Sequence, residues 1–202
     1  FGTIIHDSLE FSFKSFLQKD LTEDALSDIK KIALKKAKQD FEDKFGSRIE
    51  TGKNHLVWMV ANRMINDFFD YETKGIQKIK SYQVLELEQK YSHELKIDNF
   101  KINLLGKIDR LDRVEDQLRV VDYKSGFVES KDVSFTMSDL IEKKNSSKAF
   151  QLMMYSYLFS KSKGVANFIS GNYSFKNNKA RFIPLKIDKT KVPLTITNAE
   201  LD

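Results

Sequence analysis

Asp109, Asp122 and Lys124 are the residues of this 202-residue chain whose types and spacing could do chemistry. Asp109 follows an alternating apolar-polar run, Phe100 to Ile108, within Gly106-Lys107-Ile108-Asp109-Arg110. Thirteen positions later comes Asp122, in Val120-Val121-Asp122-Tyr123-Lys124-Ser125-Gly126. Side chains alternate along a strand, so Asp122 and Lys124 are expected on one face and Val121 and Tyr123 on the other. A hairpin through Val114-Glu115-Asp116-Gln117 would bring the Asp109 strand, ending near that residue, alongside. Two carboxylates and an ammonium then meet at one edge of a sheet. Carboxylates offer the hard oxygen donors and the charge that Mg²⁺ or Mn²⁺ requires, with the Tyr123 carbonyl close enough to be a further ligand. Such a cation acidifies a bound water and offsets charge on a phosphoryl group, while Lys124 orients that water; these are the needs of phosphodiester hydrolysis.

Ordinary ion pairs at strand ends are the competing explanation, since charged side chains are mostly exposed. The surroundings of Asp122 argue against it. Leu118-Arg119-Val120-Val121 reads as a buried strand, and burying a carboxylate is costly unless a cation or partner compensates. Gly106 permits a close approach to the backbone just before Asp109. Glu88, on the preceding strand, could also face a cation, although an exposed strand Glu explains it equally well.

Several elements must position these groups. Ile5, Leu9, Phe13 and Phe16-Leu17 recur at helical spacing. The pattern returns over Ser27 to Phe45, after Thr22-Glu23-Asp24 as a helix start, and a third helix begins after Gly52 with Leu56-Val57, Val60, Met64-Ile65 and Phe68-Phe69. From Ser81 the period becomes two. Val84 to Tyr91, Phe100 to Ile108 and Leu118 to Tyr123 are expected as three antiparallel strands, with a turn at Lys96-Ile97-Asp98-Asn99. A helix follows over Ala149 to Leu158, placing Gln151 and Tyr155 on one face and Leu152 and Leu158 on another. Residues 166–175 and 180–187 suggest a last strand pair around Lys176-Asn177-Asn178-Lys179, and the tail after Lys191 lacks periodicity.

Composition bounds the rest. With 41% hydrophobic residues and 16 Phe, the chain can bury one substantial core, so a single domain with a helical part is expected. Against 29 acidic residues stand 34 basic ones, a net charge of +5 and pI near 9.1. That is a mixed surface compatible with a polyanion without requiring one. Lys35, Lys36 and Lys38, with Lys74, Lys78 and Lys80, could follow a phosphate backbone but read first as solvated faces, and nothing suggests recognition of base sequence. The absence of cysteine excludes disulfides, Cys-bound zinc and iron–sulfur clusters, and makes a cytoplasmic location the expectation. The longest apolar run, Leu56 to Ala61, is far shorter than the roughly 18 residues of a membrane span. There is no signal-peptide pattern. A first residue other than Met suggests a piece of a longer protein.

Four ordered stretches resemble the RecB-like branch of the PD-(D/E)XK nuclease superfamily, which includes the nuclease domains of RecB and AddB. They are Gly2-Thr3-Ile4-Ile5-His6 followed by Leu9-Glu10, Gly106 to Asp112, Val120 to Gly126, and Gln151-Leu152-Met153-Met154-Tyr155. The resemblance implies that His6, Asp109 and Asp122 bind the metal, that Lys124 is the catalytic lysine, and that Gln151 and Tyr155 lie beside the active site, contacting DNA or ordering the catalytic strand. His55 and His93 lack such a context and are expected to be structural or exposed. AddB-type domains commonly carry a four-Cys iron–sulfur cluster, so this chain resembles the cluster-free branch. Relatives usually have a segment upstream of the first stretch and are often joined to helicase or helicase-like parts. The implied fold is α/β, a restriction-endonuclease-like mixed central sheet flanked by helices, with a helical insertion near residues 21–79. The implied function is Mg²⁺- or Mn²⁺-dependent hydrolysis of DNA, exonucleolytic and linked to recombination or repair. The alternative is a non-catalytic DNA-binding or scaffold module within a helicase–nuclease complex, and an RNA-directed nuclease is a third reading.

Overall fold

Apolar residues spaced three and four apart fold into helices through the first 76 residues, and the switch to a period of two begins the sheet. The computed structural model describes residues 2–46, 51–136, 138, 147–177, 181–187 and 193–197. The chain divides into two compact units, residues 1–85 and 86–202.

The first unit contains α1 (Gly2–Phe13), α2 (Glu23–Phe45) and α3 (Gly52–Ile76). Thr22 caps α2 by accepting a hydrogen bond from the Ala25 amide at 3.1 Å, with Glu23 and Asp24 favourably placed in the first turn. Ile5, Leu9 and Phe13 of α1, Leu26, Ile29, Ala33 and Phe41 of α2, and Ile65, Phe68 and Phe69 of α3 are buried. Phe13 stacks on Phe69, ring centroids 5.9 Å apart, and meets Phe68 edge-on at 6.3 Å. The third helix departs from expectation at its start, where Leu56 and Val60 are exposed and the buried stripe begins at Ala61.

The second unit is organised by a six-stranded sheet. β1 (Tyr82–Ile97), whose first residues belong to the first unit, neighbours β2 (Phe100–Val114), followed by β3 (Gln117–Lys124), β5 (Phe168–Ser174) and β6 (Phe182–Pro184); β8 (Thr195–Ile196) also pairs with β5. β2 and β3 are antiparallel, from Arg110 opposite Val121 to Val114 opposite Gln117, so the turn is Glu115-Asp116 as anticipated. β3 and β5 are parallel, from Leu118 beside Phe168 to Lys124 beside Ser174. A parallel pair needs a crossover, and this one carries α4 (Ser147–Lys163). β4 (Ser134–Phe135) and β7 (Lys186–Ile187) form a separate small parallel pair. Val128, Val133, Phe135, Ala149, Leu152, Ile183 and Leu185 build a core under the crossover.

This is a mixed α/β fold consistent with the restriction-endonuclease-like architecture. Three details differ from the sequence reading. β2 runs on to Val114, so Asp109 lies inside the strand, and β2 and β3 are interior strands, so the acids are not at a lateral sheet edge. Thr195–Ile196 in the tail is a short strand, while residues 178–180 of the expected last turn lie outside the described residues. Among the described residues no helix is long and apolar enough to cross a membrane.

Candidate active site

β3 delivers Asp122 and Lys124 to one face of the sheet. Asp122 is 2% exposed, and the Lys124 ammonium lies 2.6 Å from its Oδ2. The same oxygen accepts a hydrogen bond from Nδ2 of Asn172, at 2.7 Å, the residue registered beside Asp122 on β5. Lys124 Nζ also donates to Oε1 of Gln151 at 2.7 Å, and Gln151 Nε2 donates to the Tyr155 hydroxyl at 2.9 Å. Asp122, Lys124, Gln151 and Tyr155 therefore form one hydrogen-bonded chain from β3 to α4. The spacing of four between Gln151 and Tyr155 makes it possible, since it puts both on the helix face that meets the sheet.

Gly106 explains how α4 comes so near. A Cβ there would sit 2.7 Å from Leu158 Cδ1 and 3.3 Å from the Tyr155 ring, so glycine lets both side chains rest against β2 without shifting.

Asp109 occupies the next position along the β2–β3 ladder, just beyond the Arg110–Val121 pair. Its Oδ2 accepts the Tyr123 backbone N–H at 2.6 Å, so the side chain takes a donor that a regular ladder would give to a carbonyl. Burial pushes the Asp109 carboxyl up to about 7, helped by the charges of Asp122 and Glu88 and opposed by the Tyr123 amide and Lys124. Glu88 sits on β1 with its backbone in the left-handed region, φ 49°, a conformation rare outside glycine. It pairs with Lys107. A Glu88 carboxylate oxygen lies within 4.8 Å of one from Asp109. The Tyr155 phenol is also shifted upward, first by burial and then by the Asp122 charge, with the Gln151 hydrogen bond acting the other way.

The charge pattern asks for a cation. Burial first, and then the charges of Asp122 and Glu88, make the Asp109 carboxyl hold its proton into the neutral range. A hard divalent ion ligated by these oxygens would relieve that cost, so Asp109 and Glu88 fit such an ion by donor type, charge and proximity, and Asp122 by donor type and charge.

The opposite face of the same strands is closed. Arg110 is fully buried, its guanidinium 5.3 Å from the Tyr123 ring centroid and 5.8 Å from that of Tyr173, with Nε 2.9 Å from Asp112. Arg119 grips Asp112 through two bonds of 2.6 and 2.9 Å. Tyr123 thus gives its ring to this packing and its amide to Asp109.

The other expected residues are placed as follows. His6 lies on α1 of the first unit, partly buried. His55 lies on α3, and His93 packs edge-on against Tyr157 at 5.5 Å, a structural role. Lys38 pairs with Glu42 one turn on, while Lys36, half-buried with its ammonium 5.7 Å from the Phe11 ring centroid, pairs with Asp40. Sequence reasoning missed Asn172. Its only signal was a polar residue at every second position, Ser170, Asn172 and Ser174, within an otherwise apolar strand.

Compared with known proteins, residues 1–192 match the family profile described as the PD-(D/E)XK nuclease superfamily. No curated protein matches the chain.

Proposed function

We propose, on the premise that this chain belongs to the PD-(D/E)XK nuclease superfamily, that it hydrolyses DNA phosphodiester bonds with Mg²⁺ or Mn²⁺. Membership implies a metal-dependent nuclease. The finer reading rests above all on one observation: a buried Asp122 with Lys124 at 2.6 Å, beside an Asp109 whose carboxyl is pushed up to about 7.

In this reading Asp109 and Asp122 hold the cation, with the Tyr123 carbonyl and Glu88 as further oxygens, and His6 joins them as the resemblance implies. When bound, the ion supplies an acidified water and charge to set against the scissile phosphate. Lys124 keeps its ammonium beside Asp122, where it can orient that water and offset negative charge developing on phosphate oxygens. Gln151 fixes Lys124 by accepting a hydrogen bond from its ammonium, and Tyr155 fixes Gln151 in turn. Each of the two residues on α4 thereby orders the catalytic strand.

The substrate we favour is a DNA end, degraded exonucleolytically during recombination or repair in the cytoplasm, with helicase or helicase-like parts of the same or another chain supplying single strands. Residues 1–202 act as one nuclease domain in which 21–79 are the helical insertion. The RecB-like order of the four stretches supports this.

Incubation of the purified protein with linear DNA, closed circular DNA and RNA, with Mn²⁺ and with EDTA, tests the reading. Metal-dependent loss of the linear DNA alone is expected. Cutting of the circle would make it an endonuclease, loss of RNA alone would reassign the substrate, and binding without cleavage in any arm would refute catalysis.

A further inference from the structure

We propose that Asn172 is a positioning residue for Asp122, fixing the carboxylate so that it can hold a divalent cation; this rests on the metal site proposed above.

The parallel register puts Asn172 directly beside Asp122, and both are buried, Asn172 completely. Its Nδ2 donates to Asp122 Oδ2 at 2.7 Å, the oxygen that also meets Lys124. Two donors from different strands converge on one oxygen, which stops the carboxylate from rotating. An ionised carboxylate only accepts hydrogen bonds, so the amide must present nitrogen to it. The other end of the amide bears the cost. Oδ1 of Asn172 is buried with no hydrogen-bond partner among the described residues, and an unsatisfied buried acceptor disfavours the folded state.

The surroundings hold Asn172 in place. At Gly171 a Cβ would lie 2.6 Å from the Phe182 ring and 2.7 Å from the Ile183 carbonyl, so β6 presses on β5 immediately before Asn172. Two residues on, Ser174 donates to the Gly126 carbonyl at 2.9 Å and accepts from the Val128 amide at 3.2 Å, while the Phe175 amide donates to the Lys124 carbonyl at 3.0 Å. β5 therefore grips β3 twice, at the acid through Asn172 and just past the lysine through Ser174. Hydrogen-bonded neighbours of metal ligands typically govern metal affinity by about 10–100-fold.

Mn²⁺ binding in the absence of DNA, read as loss of the free-ion electron paramagnetic resonance signal, tests the assignment in wild type, Asn172→Leu and Asn172→Ala. Leucine keeps the volume and removes the donor; alanine guards against a leucine variant that misfolds, with circular dichroism confirming the fold of each. Folded variants are expected to bind Mn²⁺ at least about tenfold more weakly and to need correspondingly more Mn²⁺ for half-maximal cleavage, with an unchanged KM for DNA. Affinity within twofold of wild type in either folded variant would overturn the proposal, as would a raised KM for DNA with unaltered Mn²⁺ affinity. Because the readout is metal binding, a wild-type protein that binds Mn²⁺ without cutting DNA would defeat the nuclease reading and leave this comparison decisive.

Discussion

Asp122 and Lys124 stand at 2.6 Å because a strand returns to the same face every second residue, and this pair is where a single substitution should be most costly. Lys124→Ala and Asp122→Ala are each expected to lower DNA cleavage by about a thousandfold or more, in line with the loss of a transition-state charge partner. Lys124→Ala should still bind Mn²⁺, whereas Asp122→Ala should not; titration of the two variants separates the roles. His6→Ala should weaken Mn²⁺ binding without abolishing the fold, checked by the same titration. Asp109 makes a pH prediction. Its carboxyl ionises near 3.8 when exposed and near 7 in the folded protein, so between these values the folded state holds the extra proton. That contribution to stability is complete below about pH 4 and is lost as pH rises through about 7. Metal-free Asp109→Asn should therefore be more stable than wild type at pH 8, by about 2–4 kcal/mol, and equal to it near pH 4. Urea denaturation at both pH values measures the difference, and added Mn²⁺ should close the gap at pH 8 by stabilising the wild type.

At the scale of elements, two glycines set how closely strands and helix approach. Gly171→Ala would drive a methyl group into a backbone carbonyl and an aromatic ring at 2.6–2.7 Å, whereas Gly106→Ala meets chiefly the end of Leu158, which can turn aside. The first should cost about 2–4 kcal/mol and the second about 1 kcal/mol or less, a ranking that thermal denaturation checks. Gly106→Ala should still reduce turnover, because Tyr155 leans on the same spot. Element by element, the three helices and the β2–β3 hairpin were legible because each is encoded by local periodicity and a turn of two residues. The start of α2 at Thr22-Glu23-Asp24 is legible from its cap and first-turn acids, whereas Leu56 and Val60 read as buried because periodicity does not reveal which apolar stripe has a partner. The sharing of one strand face by Asp122 and Lys124 and of one helix face by Gln151 and Tyr155 was legible as pattern. Asn172 was not. Its meaning comes from parallel pairing with a strand 50 residues earlier, which no local rule specifies. The two-residue strands β4 and β8 were not legible either, being too short to show a period.

For the molecule as a whole, 34 basic against 29 acidic residues give a surface of modest positive charge. Binding to DNA should be electrostatic in part and indifferent to sequence. With Lys124→Ala preventing cleavage, affinity for a fluorescent duplex is expected to fall by about tenfold or more between 50 and 200 mM salt, and to vary by less than about threefold among unrelated sequences. A steep preference for one sequence would contradict this expectation.

The crossover that lays β5 beside β3 also governs when the protein becomes competent. Asp122 and Asn172 are 50 residues apart, so their pairing must wait until the whole intervening segment has closed, and contacts of that separation form late in folding. During refolding from denaturant, helical signal should recover first and Mn²⁺ uptake only with the slowest phase. A newly made chain is in this sense harmless to nucleic acid until its topology is finished.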